Sequence, residues 1–402
     1  MRDIVIVGAS IAGFSAAAEL RARGFDGAIH LIGDEPIRTY ERPPLSKGVL
    51  AGDDPGATAW SAARDDDLQL DWLVGERAVG LDVAGRTVAL ATGESVPYDG
   101  LVIATGAAPR RLPGHRDRAG LHVLRSLDDC LGLRADLDAG PERVVVVGAG
   151  FIGGEVAATC RQRGHDVTVV EPLPQPLERV LGPQIGAAVA DAHRSAGVDL
   201  RLGLGVDAVL GEDHVEGVRT ADGQVIEADL VVVGIGVVPN TGWLDGSGLP
   251  VADGVQCDAT TSVAPGITAA GDVASWDSPR YGRLRIEHWD NAVDMGRAAG
   301  RRLLASDDDA EAYDPVPWFW SDQHDVRIQV AGRPSLPEQG GDFAVVDGAI
   351  GDDRFVALYG RDGVVTGALG WNWPAKTVRY RMALEQGLRW DDAVGAASTS
   401  SS

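Results

Sequence analysis

Two glycine-rich turns, each entered from a run of β-branched residues, fix most of what this chain can become. The first reads Ile4-Val5-Ile6-Val7-Gly8-Ala9-Ser10-Ile11-Ala12-Gly13. The second, 140 residues further on from Gly8 to Gly148, reads Val144-Val145-Val146-Val147-Gly148-Ala149-Gly150-Phe151-Ile152-Gly153. In each, an apolar strand runs into a tight turn and then a helix. The first glycine permits the bend and the last lets helix pack on strand. The helix N-terminus offers amides and a positive dipole to a pyrophosphate. One such turn is a weak signal. Two imply two dinucleotides in one protein, which points to a bound flavin and a diffusing nicotinamide.

The residues around each turn sharpen this. In the first, Ser10 replaces the middle glycine and still leaves little bulk near a phosphate. Asp34 and Glu35 follow Gly13 by 21 and 22 residues, where a dinucleotide fold wants an acid for the ribose. In the second, Gly148, Gly150 and Gly153 are all present, and Glu171 follows Gly153 by 18 residues at the end of an expected strand. A carboxylate there accepts from the ribose hydroxyls and repels a 2′-phosphate. No Arg or Lys follows until Arg179, so NADH is favoured over NADPH. A third piece, Gly271-Asp272, ends an apolar run; alone it is a common turn, and in this setting it suits the ribityl hydroxyls of a flavin.

Composition bounds the rest. With 402 residues the chain has room for two or three domains. Apolar residues make up 45% and charged residues 24%, ordinary for a globular protein. No apolar run approaches the roughly 20 residues of a membrane helix. Met-Arg-Asp leads straight into a strand, which leaves no room for a signal peptide, so a cytoplasmic protein is expected. The net charge of −23 argues against a nucleic-acid partner. Cys130, Cys160 and Cys257 stand 30 and 97 residues apart, without metal-ligand or dithiol spacing, so they read as small buried apolar residues and no metal is expected.

Hydrophobic periodicity and punctuation predict a helix over 12–23, a strand over 28–33 and a short strand over 101–106. A helix over 152–164, a strand over 166–171, and β segments near 217–225 and 230–233 follow. Next come a strand at 267–272 and a helix over 291–304. Arg/Pro/Gly-rich crossovers fall at 109–124 and at Pro239-Asn240. After Pro315 the texture changes to short antiparallel strands at 327–330, 343–346, 354–359 and 364–369, closed by a helix near 377–386. The tail 398–402 is expected to be disordered.

These residues resemble the FAD-dependent ferredoxin reductases of bacterial oxygenase systems, the putidaredoxin-reductase type. The likeness runs over essentially the whole chain. Besides the two turns and Gly154-Glu155, it includes Arg42-Pro43-Pro44-Leu45-Ser46-Lys47, Ala104-Thr105-Gly106 and Val237-Val238-Pro239-Asn240. It continues through Ala270-Gly271-Asp272, Glu287-His288-Trp289 and Phe319-Trp320-Ser321-Asp322-Gln323. It implies an α/β fold with two Rossmann-like dinucleotide-binding domains of the glutathione-reductase type plus a small α+β C-terminal domain. The implied boundaries are 1–112 and 240–316 for FAD, 113–239 for NAD, and 317–402 for a C-terminal interface domain.

The resemblance also implies roles. FAD and NADH are the cofactors, and a 2Fe-2S ferredoxin feeding a cytochrome or Rieske-type oxygenase is the partner of a monomer or homodimer. Gly8, Ser10, Ile11, Ala12, Gly13, Asp34, Glu35, Ala104, Thr105, Gly106 and Asp272 would bind FAD. Gly148, Gly150, Phe151, Ile152, Gly153 and Glu171 would bind NADH. Arg42, with Arg125 beside it, would neutralise the FAD pyrophosphate. Lys47 would lie beside the flavin ring, paired with Glu155, where a cation stabilises negative charge on reduced flavin. Glu287, His288 and Trp289 would lead into a helix aimed at the flavin and meet the nicotinamide, and Trp320 would cover the ring. Disulfide reductases of the wider superfamily carry a C-x4-C pair near residues 43–47. This chain has no cysteine before Cys130, so electrons would leave the flavin directly. Arg297, Arg301 and Arg302, or Arg327 and Arg333, are candidate docking patches. A rubredoxin reductase, an NADH oxidase, or a redox sensor of the apoptosis-inducing-factor type are competing readings.

Overall fold

The computed structural model describes residues 1–60, 65–114 and 116–399. The chain divides into two compact units: Met1–Glu41, Gly56–Ala108 and Val238–Pro315 in the first, Arg42–Pro55, Pro109–Val237 and Val316–Ser402 in the second.

The first unit is built on a six-stranded sheet. Its order is Ser262–Ala264, Ile267–Ala269, Gly100–Ile103, Asp3–Val7, Ala28–Gly33, Asp71–Val74. All pairings but the outermost Ser262–Ala264 one are parallel. Strands buried on both faces must be apolar throughout, which is why Ile4-Val5-Ile6-Val7 shows no alternation. Helix Ile11–Ala22 packs on helix Trp289–Leu304 through glycine: a Cβ on Gly296 would lie 2.3 Å from the Ala12 carbonyl oxygen, and one on Gly300 2.8 Å from that of Ala16.

The second unit holds a five-stranded parallel sheet in the order Asp199–Leu202, Asp166–Glu171, Arg143–Val147, Leu230–Val233, Leu121–His122. It also holds a five-stranded antiparallel sheet: Trp318–Gln323, Val326–Gly332, Val364–Trp371, Phe355–Arg361, Asp342–Asp347. Helix Glu178–Ser195 buries Leu181, Ile185 and Val189 against Ile328, Phe355 and Tyr359 of that second sheet. The Tyr359 hydroxyl donates to the Leu181 carbonyl at 2.7 Å.

The two parallel sheets repeat one plan. Val7 pairs with Ile32 as Val147 pairs with Val170, and the strands Gly100–Ile103 and Leu230–Val233 take equivalent places beside the first strand. The α/β fold expected from the two turns is present.

Differences are local. The apolar run at 267–272 ends as a strand at Ala269, and Asp272 sits in a 3-10 turn, Gly271–Val273. Helix Glu178–Ser195 has no counterpart in the sequence reading because Pro183 interrupts its pattern; the chain accommodates it with a break at Gly182 (φ 80°). Ser398 and Thr399, expected in a disordered tail, end the helix Trp390–Thr399; 400–402 lie outside the described residues. No described helix is long and apolar enough to cross a membrane.

Candidate active site

In the first turn Gly8 has φ +121°, and a Cβ there would lie 2.0 Å from the Ala104 carbonyl oxygen. The turn is therefore pressed against the end of the Gly100–Ile103 strand, and only glycine permits it. A Cβ on Gly13 would lie 1.9 Å from the Gly8 carbonyl oxygen. Ser10 is the N-cap of helix Ile11–Ala22, yet its side chain makes no cap bond and the first turn holds no acid. The first helical bond runs from the Phe14 N–H to the Ser10 carbonyl, so the preceding amides have no side-chain cap and are placed as an anion site requires. Thr105 and Asn240 bond reciprocally: Thr105 Oγ1 donates to the Asn240 carbonyl (2.8 Å) and Asn240 Nδ2 to the Thr105 carbonyl (2.9 Å).

The second turn repeats this with one addition. Gly148 (φ +101°) is pressed against the Gly234 carbonyl oxygen, 2.5 Å from a would-be Cβ. Gly150 caps helix Phe151–Gln162 without a side-chain bond, and a Cβ there would meet nothing within 4 Å. Nothing in the protein's own packing requires glycine at 150, whereas a pyrophosphate lying on the helix end would. Glu171 is buried at the strand end. Its carboxylate accepts from the Ala149 N–H at 2.7 Å and the Leu173 N–H at 3.0 Å. That aims it at the turn and leaves lone pairs for ribose hydroxyls. Phe151 meets the Phe319 ring edge-on at 4.7 Å, while Ile152 is exposed.

The registers set the two acids apart. Gly33 takes, in the first unit, the place that Glu171 takes in the second. A Cβ at Gly33 would lie 2.6 Å from that of Ala9, so no side chain fits. The acid comes later: Glu35 accepts from the Tyr40 hydroxyl at 2.6 Å, while Asp34 is exposed. The residues at both turns fit an ADP-containing cofactor.

In the second unit Lys47 Nζ lies 2.7 Å from Glu155 Oε2. Glu155 is 3% exposed; Ser46 Oγ donates to its Oε2 (2.5 Å) and Ser321 Oγ to its Oε1 (2.6 Å). Burying a carboxylate requires such pairing and bonding. Lys47 also lines a cleft of about 800 Å³ with Asp53, Arg161, Asp322 and His324. Arg42 and Arg125 are brought together, the Arg42 guanidinium donating to the Arg125 carbonyl at 2.6 Å. Trp320 is half-buried in the strand Trp318–Gln323 and packs on the core that includes Trp318, Val356 and Leu358.

In the first unit Glu287 is ion-paired to Arg285 at 2.6 Å. His288 is the N-cap of helix Trp289–Leu304, and burial pushes it down to about 4 against the opposing pull of Asp272. It is a neutral, packed histidine at physiological pH. Trp289 lies 5.7 Å from Trp60, which lies 6.4 Å from Phe14.

All three cysteines are buried. Burial pushes Cys130 up to about 11, and Cys160 and Cys257 up to about 12, so none is a thiolate at neutral pH. The arginines read as docking patches are largely neutralised. Arg297 pairs with Asp294, Arg301 with Glu19, Arg302 with Asp307, and Arg327 forks onto Asp322.

Residues 2–296 match the model of the pyridine nucleotide-disulphide oxidoreductases, and 318–401 that of the reductase C-terminal domain. The chain belongs to the pyridine nucleotide-disulphide oxidoreductase family. It is 40% identical to rhodocoxin reductase of Rhodococcus erythropolis over 359 residues, 88% of this chain and 82% of that one. It is 37% identical to the ferredoxin reductase subunit of a Sphingobium 5,5′-dehydrodivanillate O-demethylase, over 99% and 97% of the two chains. Among solved structures, the covalent putidaredoxin reductase–putidaredoxin complex matches with a TM-score of 0.89 at 32% identity, covering 95% of this chain and 92% of that one. The resemblance read from the motifs is thus met, in family, in fold and in its oxidoreductase class.

Sequence reasoning gave no role to Ser46, Ser321, Gln323 or His193. Ser46, Ser321 and Gln323 stood inside matched motifs. His193 Nε2 lies 2.9 Å from Gln323 Oε1, across 130 residues, and carried no local signal. One signal was overlooked: the chain has only two lysines, Lys47 and Lys376, among its 36 basic residues, so a lysine at 47 is itself notable.

Two expectations follow from the geometry. Gly150→Ala keeps the wild-type melting temperature and flavin content but raises the KM for NADH about tenfold, whereas Gly148→Ala destabilises by about 1–3 kcal/mol through backbone strain. Thermal melts and NADH titrations separate the two. Loss of stability in Gly150→Ala, or unchanged NADH binding, counts against a phosphate site.

The second concerns acid. His193 is pushed down to about 4, first by burial and then by His324. His288 is likewise low. Unfolded histidines titrate near 6.5, so as pH falls from ~6.5 to ~4 the unfolded chain takes up protons the folded one refuses. Stability is then lost at up to about 1.4 kcal/mol per pH unit from each histidine, and no further below pH 4. His193→Gln should flatten this decline between pH 6.5 and 5 in denaturant melts; an unaltered slope would show that His193 is charged in the fold.

Proposed function

We propose that this chain is a cytoplasmic NADH:ferredoxin reductase, serving a cytochrome or Rieske-type oxygenase through a 2Fe-2S ferredoxin. FAD, when bound, supplies acceptance of a hydride from NADH and release of the two electrons singly. The observation that carries the reading is the pairing of Lys47 with the buried Glu155, together with three thiols buried and kept protonated. A disulfide reductase of this family needs a reactive dithiol; here a fixed cation stands in the segment where that pair would be.

The chain's own residues then divide the work. Residues 1–112 and 240–316 hold FAD and 113–239 hold NADH, with 317–402 as the interface domain. The amides after Gly8 and Gly148 take the two pyrophosphates, with Arg42 and Arg125 adding charge to the first. Glu35 and Glu171 take the riboses; the Glu171 carboxylate disfavours a 2′-phosphate. Lys47, held by Glu155, stabilises the negative charge that hydride brings, and does so without moving, because its partner is locked by two serine hydroxyls. Asp272, Glu287, His288 and Trp289 line the flavin and nicotinamide, and Trp320 covers the ring. Positioning and electrostatics therefore account for the catalysis asked of the protein.

Relatives named as ferredoxin reductases support the partner. The demethylase relative is named as a ferredoxin reductase subunit, and putidaredoxin reductase has been captured in a covalent complex with putidaredoxin.

Anaerobic mixing with NADH against a panel of 2Fe-2S ferredoxins, following flavin and iron–sulfur absorbance together, tests this. Many turnovers per second on at least one ferredoxin are expected. Turnover only on dioxygen or rubredoxin, or a long-lived NADH–flavin complex with no acceptor, would replace the reading with an oxidase, a rubredoxin reductase or a sensor. Glu171→Ala is expected to raise the NADH KM by roughly tenfold or more, as loss of a charged hydrogen bond does, and to narrow the advantage over NADPH. An unchanged ratio of the two cofactors would remove Glu171 from the ribose site.

A further inference from the structure

The Glu155 carboxylate is the end of a longer chain of hydrogen bonds. Ser321, with no exposed surface, gives its single proton to Glu155 Oε1, so towards Gln323 it can only accept. Gln323 Nε2 lies 3.1 Å from Ser321 Oγ, which fixes the orientation of the carboxamide. Gln323 Oε1 then faces His193 Nε2 at 2.9 Å and requires a proton there. A neutral His193 protonated on Nε2 leaves Nδ1 as an acceptor, and His324 Nε2 lies 2.9 Å from it. Every donor in the series His324, His193, Gln323, Ser321 points towards Glu155. His324 opens on the same cleft as Lys47.

The helix that carries Glu155 makes room for this chain. A Cβ on Gly154 would lie 2.5 Å from Gln323 Oε1 and 2.7 Å from its Cδ. Only glycine lets the carboxamide lie against the helix beside Glu155.

We propose that Ser321, Gln323 and His193 form a one-way hydrogen-bond relay that positions the Glu155 carboxylate, and through it the Lys47 ammonium, with His324 as its end at the cleft. The relay orients and does not conduct: a carboxamide in the middle has no O–H to hand on. Its polarity is set by one anion, since each donor can only be satisfied in the sense that ends at Glu155. The catalytic consequence rests on the role given to Lys47 above; the positioning itself does not.

The two lysines make the relay directly observable. Holoprotein labelled with 13Cε-lysine gives two signals, assigned with Lys376→Arg. His193→Leu and Gln323→Leu cut the relay, whereas His193→Gln keeps a donor at the position of Nε2. In the two cut variants the Lys47 signal is expected to shift and broaden while that of Lys376 stays in place. Flavin reduction by NADH is expected to fall about tenfold with KM within twofold, and His193→Gln to restore both. If the leucine variants fail to fold, Gly154→Ala, whose added methyl displaces the carboxamide, is expected to move the Lys47 signal in the same way. An unmoved Lys47 signal in a folded cut variant overturns the relay. A moved signal with an unchanged rate upholds the relay and instead removes Lys47 from catalysis.

Discussion

A carboxylate as buried as Glu155 needs charge and hydrogen bonds in place of the water it has lost, and much of the second unit is arranged around that demand. Lys47 supplies the charge and Ser46 and Ser321 the bonds. Together with Glu155 these residues come from three distant stretches of sequence: the Arg42–Pro55 segment, helix Phe151–Gln162 and strand Trp318–Gln323. Thr159, one helical turn on from Glu155, fixes the segment further by donating to the Ser46 carbonyl at 2.8 Å. Removing one partner of such a group is costlier than the pair is worth, because the remainder is left buried and uncompensated. This couples folding of the second unit to the geometry of the cation.

The two phosphate turns show how one backbone plan is tuned to two ligands. Both rest their first glycine against a carbonyl from a neighbouring strand end, Ala104 in one case and Gly234 in the other. They part at the acid that follows the second strand. Where Glu171 follows Val170, Gly33 follows Ile32, and Ala9 fills the space. Glu35 is then carried on a loop and steadied by Tyr40, which sets its carboxylate differently from that of Glu171. On the roles proposed above, the resident cofactor meets the loop-borne acid and the visiting one a carboxylate already bonded to the turn.

What was legible in the sequence was what short range determines. Each turn, its strand and its helix are contiguous, so residue type and spacing carried them. The acid after the first turn was legible only as Asp34 or Glu35, because spacing does not reveal which loop residue a tyrosine hydroxyl will hold. Lys47 and Glu155 were legible only through resemblance, being 108 positions apart with no local pattern to join them. The pairing of the candidate basic patches was not legible, for an electrostatic reason. With 59 acidic residues against 36 basic ones, an arginine that looks like part of a cationic face has a carboxylate within reach, as Arg301 has Glu19 and Arg327 has Asp322.

The same excess of acid bears on what a lysine is for. Arginine makes up all but two of the basic residues, and its flat, weakly hydrated fork suits the paired surface positions seen throughout. An ammonium is a compact point charge that a carboxylate can hold at one place. Lys47 and Lys376 each sit on a single acidic partner, Glu155 and Asp347. Where charge must be delivered at a point beside a low-dielectric site, a guanidinium spreads it over three nitrogens and an ammonium does not. On the role proposed for Lys47, one localised positive charge is what a lysine supplies there and an arginine would not.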